Sequence, residues 1–228
     1  MKNPYVNRTR ISTRQFRKFL ALFCKDFNAI QIADLMHWNR NTANLWINLI
    51  RERISVLVEQ EKMTNATNVQ LDETYFTRTK EYFPKWKIPY EEICVFGCID
   101  DTGIVYATIV PKPRIMYVLP IIQSCCAYDA TIYTDSATLY KGLYKLGYKH
   151  CSVNHRDLEF SRHVDNECIT TNRIEGFWGW MKVRLSKFRG IKWDSLGVHI
   201  AESVWRYNHR KDDIYKLLLR EFRRKKLN

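Results

Sequence analysis

Phe16, Phe19, Leu20 and Phe23 recur at i, i+3, i+4 and i+7, the spacing of one helix face, and Ser12-x-x-Gln15 in front of them has the form of a capping box. Asn28 is placed to cap a second helix carrying Ile32, Ala33 and Met36. After a short break at 37–39, Thr42 to Val58 reads as a longer helix with Leu45, Trp46, Leu49 and Ile50 on its apolar side. Two short helices, and a third across a three-residue break, predict a helix-turn-helix within residues 1–63. Ala33 is small where two of the helices would cross, and His37 stands where a turn glycine is common. The competing reading is a three-helix bundle used for dimerisation.

The apolar period then changes. Residues 59–68 are polar and aperiodic and read as a linker. Val69–Phe76 is a strand candidate with acids inside it, and 77–92, with Pro84 and Pro89, reads as a loop. Ile93–Ile99 and Ile104–Val110 flank Asp100-Asp101-Thr102-Gly103, a hairpin signal. Pro120 suits the first turn of a short helix through Cys126. A strand at Thr131–Thr134, a helix at Ala137–Leu146 closed by Gly147, a strand at His150–Asn154 and a helix from Asn172 follow. The order β-β-β-α-β-α-β-α predicts an α/β domain over residues 64–212: a mixed five-stranded sheet with flanking helices, preceded by the all-α unit and followed by a basic helix or tail at 213–228.

A hydrophobic content of 46% over 228 residues excludes a disordered chain. No apolar run is long enough for a transmembrane helix, and the basic start lacks the apolar core of a secretory signal, so no membrane partner is expected. The net charge of +13 is unevenly spread. Residues 1–63 hold 11 Lys/Arg against 5 Asp/Glu, residues 64–181 hold 12 against 14, and residues 182–228 hold 14 against 5. Two basic flanks around a slightly acidic middle suit a polyanion, because each Lys/Arg–phosphate contact releases a counterion. The seven cysteines form no C-x-x-C pair, which argues against a zinc ribbon; Cys94 and Cys98 read as small buried apolar residues.

Asp72 lies inside an apolar strand pattern, where a charge is costly unless paired or bound to metal. Asp135 ends a second strand, and Glu175 lies on a helix, on the face that also carries Asn172. Three converging carboxylates would repel one another. A pair of Mg²⁺ ions, with Mn²⁺ as a substitute, prefers oxygen ligands and relieves that repulsion. Two such ions about 3.5–4 Å apart can activate a water or a 3′-hydroxyl for in-line displacement at phosphorus. Glu73, Asp100 and Asp101 are competitors; Glu73 would point to the opposite face from Asp72, and Asp100 and Asp101 are simply explained as turn residues.

The segments VQLDETYF, IYTDSATLY, VNHRDLEF, TNRIEGFWGWMK and WRYNHR, in that order, resemble the DDE transposases of bacterial insertion sequences, in the group related to the eukaryotic Merlin elements. The resemblance spans roughly Val69 to Arg210. It implies a ribonuclease-H-like catalytic domain, in agreement with the strand and helix order. It assigns the two aspartates to Asp72 and Asp135 and the glutamate to Glu175, with Asn172 the alternative for the third ligand. It also implies that Lys182, two helical turns after Glu175, grips a phosphate near the cleaved end, and it matches His155 to a histidine of the family pattern with a phosphate-contact or structural role. Many relatives carry an N-terminal zinc ribbon; this chain does not, and the helix-turn-helix is expected to recognise DNA instead.

Arg40, Asn41, Thr42 and Asn44, at the start of the third helix, can reach base edges or phosphates in a major groove. Arg206, Arg210 and the basic residues from Arg220 to Lys226 are expected on DNA backbone. Tyr82, Phe83, Lys85, Trp86 and Lys87 mix aromatic and basic groups that could line a strand channel. Trp178 reads as core. The expected function is a transposase that binds terminal inverted repeats of double-stranded DNA as a homodimer or larger assembly, in a bacterial nucleoid or, for a eukaryotic host, a nucleus. Two alternatives are a catalytically inactive DNA-binding derivative and a ribonuclease-H-like nuclease.

Overall fold

A computed structural model of the chain describes residues 3–7, 9–79, 90–135, 138–140, 142–153, 162–164, 167–188 and 190–228. Two compact units result: Met1–Gln60 together with Arg184–Asn228, and Glu61–Val183. The expected division had instead placed residues 184–212 with the sheet. No helix of the described residues is long and apolar enough to cross a membrane.

The first unit is helical. Helix α1 (Thr13–Cys24) opens on the capping box, with Ser12 Oγ accepting from the Gln15 N–H and Gln15 Oε1 accepting from the Ser12 N–H. Helix α2 (Ala29–Met36) repeats the device with Asn28 and Gln31. It stops at His37, whose φ of 53° puts a non-glycine residue in the left-handed region that glycine usually fills. Helix α3 (Arg40–Glu61) begins three residues later and runs beyond both expected ends, so most of the expected linker is helix or strand. Phe16, on α1, packs against Trp46 of α3 and against Phe222 of α7 (Ile214–Arg224). That contact makes the C-terminal helix part of this core.

A buried charge cluster ties α6 (Trp193–Asn208) to its neighbours. Glu202, 1% exposed, receives Arg51 at 2.7 Å, Arg206 at 2.8 Å and Arg184 at 2.6 Å. Burial alone would raise the Glu202 carboxyl, but Arg184, Arg206 and Arg51 outweigh it and hold it well below the usual range. Arg206 also donates to the carbonyls of Phe23 and Cys24 at the end of α1.

The second unit carries the sheet: β1 (Ala66–Thr79), β2 (Tyr90–Asp100), β3 (Val105–Val110), β4 (Cys126–Asp135) and β5 (Lys149–Val153), in the order β3-β2-β1-β4-β5. The β1-β2-β3 meander is antiparallel, whereas β4 and β5 run parallel to β1. This is the ribonuclease-H-like mixed sheet that was expected, with β1 at its centre. Val69, Gln70 and Leu71 are consecutive and all buried, so both faces of β1 are covered there. The β2–β3 turn closes as the hairpin signal predicts, with Gly103 at φ 83°. Helix α5 (Asn172–Ser186) begins in this unit, and the division between units falls within it.

Two expectations need correction, and one element is additional. Helix α4 (Ile115–Cys125) starts five residues before Pro120, leaving the proline in its interior rather than its first turn. The buried face Val118, Ile122, Cys125 begins ahead of the proline and sets the helix start, despite the hydrogen bond the ring forfeits. The expected helix from Ala137 to Leu146 is two 3₁₀ turns, Thr138–Tyr140 and Leu143–Leu146, with Gly142 between them; a glycine there weakens a continuous helix. A short ribbon, β6 (Arg162–Val164) with β7 (Glu167–Ile169), was not anticipated.

Candidate active site at the centre of the sheet

Side chains alternate along a strand, so Gln70 and Asp72 share one face of β1. Gln70 Oε1 accepts the backbone N–H groups of Arg173 and Ile174, at 3.0 and 3.1 Å. Thr170 Oγ1 accepts the N–H of Asn172 at 3.1 Å. The free donors of the first turn of α5 are therefore satisfied, two of them by the central strand. With its start fixed there, α5 places Trp178 over Asp72: the indole Nε1 donates to Asp72 Oδ2 at 3.0 Å.

Asp135 comes to the same place by register. The parallel pairing of β1 with β4 joins Gln70 to Tyr133, and Asp72 and Asp135 each lie two residues further on. Neighbouring strands are about 4.8 Å apart, so Asp135, the last residue of β4, comes beside Asp72 in the middle of β1, close enough for the two carboxylates to affect each other. Burial, and then the adjacent carboxylates of Glu73 and Asp135, push the Asp72 carboxyl up to about 7. Glu73, although alternation points it to the opposite face from Asp72, belongs to the same charged neighbourhood. Its Oε2 accepts the hydroxyl of the fully buried Tyr140, and burial together with Asp135 raises its carboxyl. Tyr140 closes the segment IYTDSATLY, but nothing in that segment pointed to a bond with Glu73; Gln70, a polar residue two places before Asp72 on the same face, was a readable signal.

Glu175 occupies the first turn of α5, is exposed, and accepts from Thr171 Oγ1 at 2.6 Å. It lies one turn before Trp178. Asn172 and Lys182 are also exposed, at helical spacings of three and seven residues from Glu175. Among the described residues, no group of three or more His, Cys, Asp or Glu side chains is arranged to hold a metal ion. The sheet itself gathers the pair Asp72–Asp135. That pair suits a hard divalent cation, because Mg²⁺ is commonly held by one or two carboxylates plus water and substrate phosphate.

Residues 64–208 match the ISXO2-like transposase domain. The chain belongs to the ISXO2-like transposase family. No curated protein matches it. Solved structures that it resembles include a pre-cleavage Mos1 transpososome, at 10% identity and a TM-score of 0.34, covering 94% of this chain and 79% of that one. The Mos1 strand transfer complex is similar at 12% identity and a TM-score of 0.32, with the same coverage. A Mos1 mariner paired-end complex with Mn is similar at 10% identity and a TM-score of 0.28, covering 95% and 80%.

The residues of this ISXO2-like transposase expected on DNA lie in different settings. Arg40 and Asn41 are exposed at the start of α3, and Thr42 and Asn44 are partly exposed. Asn39 accepts the Asn41 N–H and caps the helix. Arg210 is exposed and lies over the Tyr207 ring. Arg206 is only 8% exposed, and its guanidinium is engaged by Glu202 and the end of α1. His155 and the segment holding Tyr82, Phe83, Lys85, Trp86 and Lys87 lie outside the described residues.

Proposed function

We propose that this protein is the DNA-cutting and DNA-joining enzyme of a mobile element. It binds the element's terminal inverted repeats, hydrolyses a phosphodiester at each end to release a 3′-hydroxyl, and joins that hydroxyl to target DNA. The observation that carries the reading is the side-by-side placement of Asp72 and Asp135 on adjacent parallel strands of a sheet belonging to the ISXO2-like transposase family.

Asp72, Asp135 and Glu175, with Asn172 the alternative to Glu175, would hold the divalent cations. Bound Mg²⁺ or Mn²⁺ supplies activation of the attacking oxygen and neutralises charge at the leaving one. Both steps are exchanges at phosphorus: water displaces a 3′-oxygen in the first, and the freed 3′-hydroxyl displaces a target 3′-oxygen in the second. Lys182 grips a phosphate beside the reacting one, and its position two helical turns from Glu175 supports that role. Arg40, Asn41, Thr42 and Asn44 enter the major groove of the repeat, on helices joined like a helix-turn-helix. Arg210 contacts backbone. Two ends have to be processed together, so the working form is a homodimer or larger assembly on DNA.

The test is an in vitro assay with the full chain, Mg²⁺ or Mn²⁺, and DNA carrying the repeats that flank the gene. The reading expects nicked or cut ends and joined products. Hydrolysis without joining would point to a nuclease, and binding without either product to a non-catalytic derivative.

A further inference from the structure

Asp72 is opposite Gly97 in the antiparallel pairing of β1 with β2. A glycine inside a strand weakens it and often marks a close approach by another group. Here that group is Trp178. A Cβ built on Gly97 would lie 2.5 Å from Cη2 and 2.7 Å from Cζ2 of the indole, and 3.4 Å from Ile174 Cδ1. The first two distances are shorter than real side chains tolerate, so any other residue at 97 would displace the ring. The missing side chain is a seat: it lets the indole lie against the strand beside Asp72, 4% exposed, with Nε1 3.0 Å from Asp72 Oδ2.

We infer that Trp178, seated on Gly97, is a positioning residue for Asp72: its N–H fixes the orientation of the carboxylate that, with Asp135, would hold a divalent cation. The inference rests on the proposed reading of this site. An indole suits the task because its N–H only donates. It can orient the carboxylate without competing as a metal ligand, and its rigid ring transmits the position of α5 to the strand. Gln70 fixes the start of the same helix on the same face of β1, so the N–H is delivered from a frame anchored at two points. Partners that orient a ligating carboxylate typically contribute 10–100-fold in metal affinity.

The probe is Mn²⁺ alone, titrated into the full chain without DNA and read by the electron paramagnetic resonance of free Mn²⁺. Five proteins are compared: wild type, Asp72→Asn, Trp178→Phe, Gly97→Ala and the double variant Trp178→Phe/Gly97→Ala, with folding verified by circular dichroism. Trp178→Phe keeps an aromatic ring and removes the donor; its Kd for Mn²⁺ is expected to rise about 10–100-fold. Gly97→Ala keeps the donor and displaces it, and the same direction of change is expected. In the double variant the smaller phenyl leaves room for the added Cβ, so the two losses do not add. Unchanged Mn²⁺ affinity in Trp178→Phe, with a loss in Asp72→Asn, would overturn the positioning role while leaving the metal site standing. A loss confined to Gly97→Ala would also overturn it, since strain rather than the N–H bond would then be responsible. Wild-type affinity in Asp72→Asn would overturn both the inference and the site beneath it.

Discussion

Gln70 on the central strand caps the helix that carries Glu175, through two hydrogen bonds from Arg173 and Ile174 to one amide oxygen. The bond fixes where α5 starts relative to β1, and therefore where every functional position along the helix falls. Replacing Gln70 with Leu strands the buried N–H of Ile174 and the partly buried N–H of Arg173. Such a loss costs about 1–2 kcal/mol, as for other helix caps. Denaturant unfolding should show this modest loss, while DNA cleavage falls more steeply than DNA binding.

Asp72→Asn should separate stability from activity. The folded-state carboxyl is raised to about 7 from an ordinary value of 3.8, so charging it destabilises the metal-free fold as pH climbs between those values. Asparagine removes that charge and keeps an acceptor for Trp178. With chelator present at pH 8, the variant should melt higher than wild type, by about 1–3 kcal/mol in stability, and the difference should vanish near pH 4. Cleavage by the same variant should be lost by more than about 100-fold.

Glu175→Gln should bind element ends with wild-type affinity and fail to cut them. Loss is expected to exceed about 100-fold in a cleavage assay, because the variant removes a charged oxygen donor and little else. Normal cleavage with a parallel defect in Asn172→Ala would move the third ligand to Asn172.

In the helical unit, Glu202 holds three arginines in a buried setting, and its carboxyl is depressed below the usual 4.5. Its stabilisation is therefore present above about pH 4.5 and lost as pH falls through the depressed folded value. Glu202→Gln leaves buried guanidinium charge uncompensated and should cost about 3–5 kcal/mol at pH 7. The variant should also lose stability less steeply than wild type between pH 5 and pH 3 in urea titrations.

The exposed start of α3 supplies a different kind of prediction. Arg40→Ala should lower affinity for all DNA and reduce the slope of log affinity against log salt by about 0.9 if one phosphate contact is removed. Asn44→Ala should relax discrimination at one base pair by about 1–3 kcal/mol. Fluorescence anisotropy over a salt series separates the two. Loss of dimer with unchanged DNA affinity would instead favour a helical dimerisation unit.

What was legible in the sequence was local or periodic. The capping box at Ser12/Gln15, the Asn28 cap, the Asp100–Gly103 hairpin and the β-β-β-α-β order each depend on residues a few positions apart, and each formed as expected. The place of Pro120 was not legible from the proline alone, because the buried face that begins at Val118 starts the helix ahead of it. Arg206 was read with the basic flank. The i,i+4 spacing to Glu202 was visible, but the arrival of Arg51 and Arg184 from distant segments was not. At the site, Asp72 stood out as a charge in a strand. Glu73 did not, because alternation says which way a side chain leaves the strand and nothing of the Tyr140 hydroxyl it meets. Gly97 carried a signal, a glycine within a strand, whose cause lay 81 positions away in Trp178.

The most direct test of the metal-dependent account is anomalous X-ray diffraction from crystals of the full chain grown with Mn²⁺. A manganese peak bridging the carboxylates of Asp72 and Asp135, absent in Asp72→Asn crystals, is the predicted result. Clear density for both side chains with no peak between them, at Mn²⁺ concentrations that support cleavage, would contradict it.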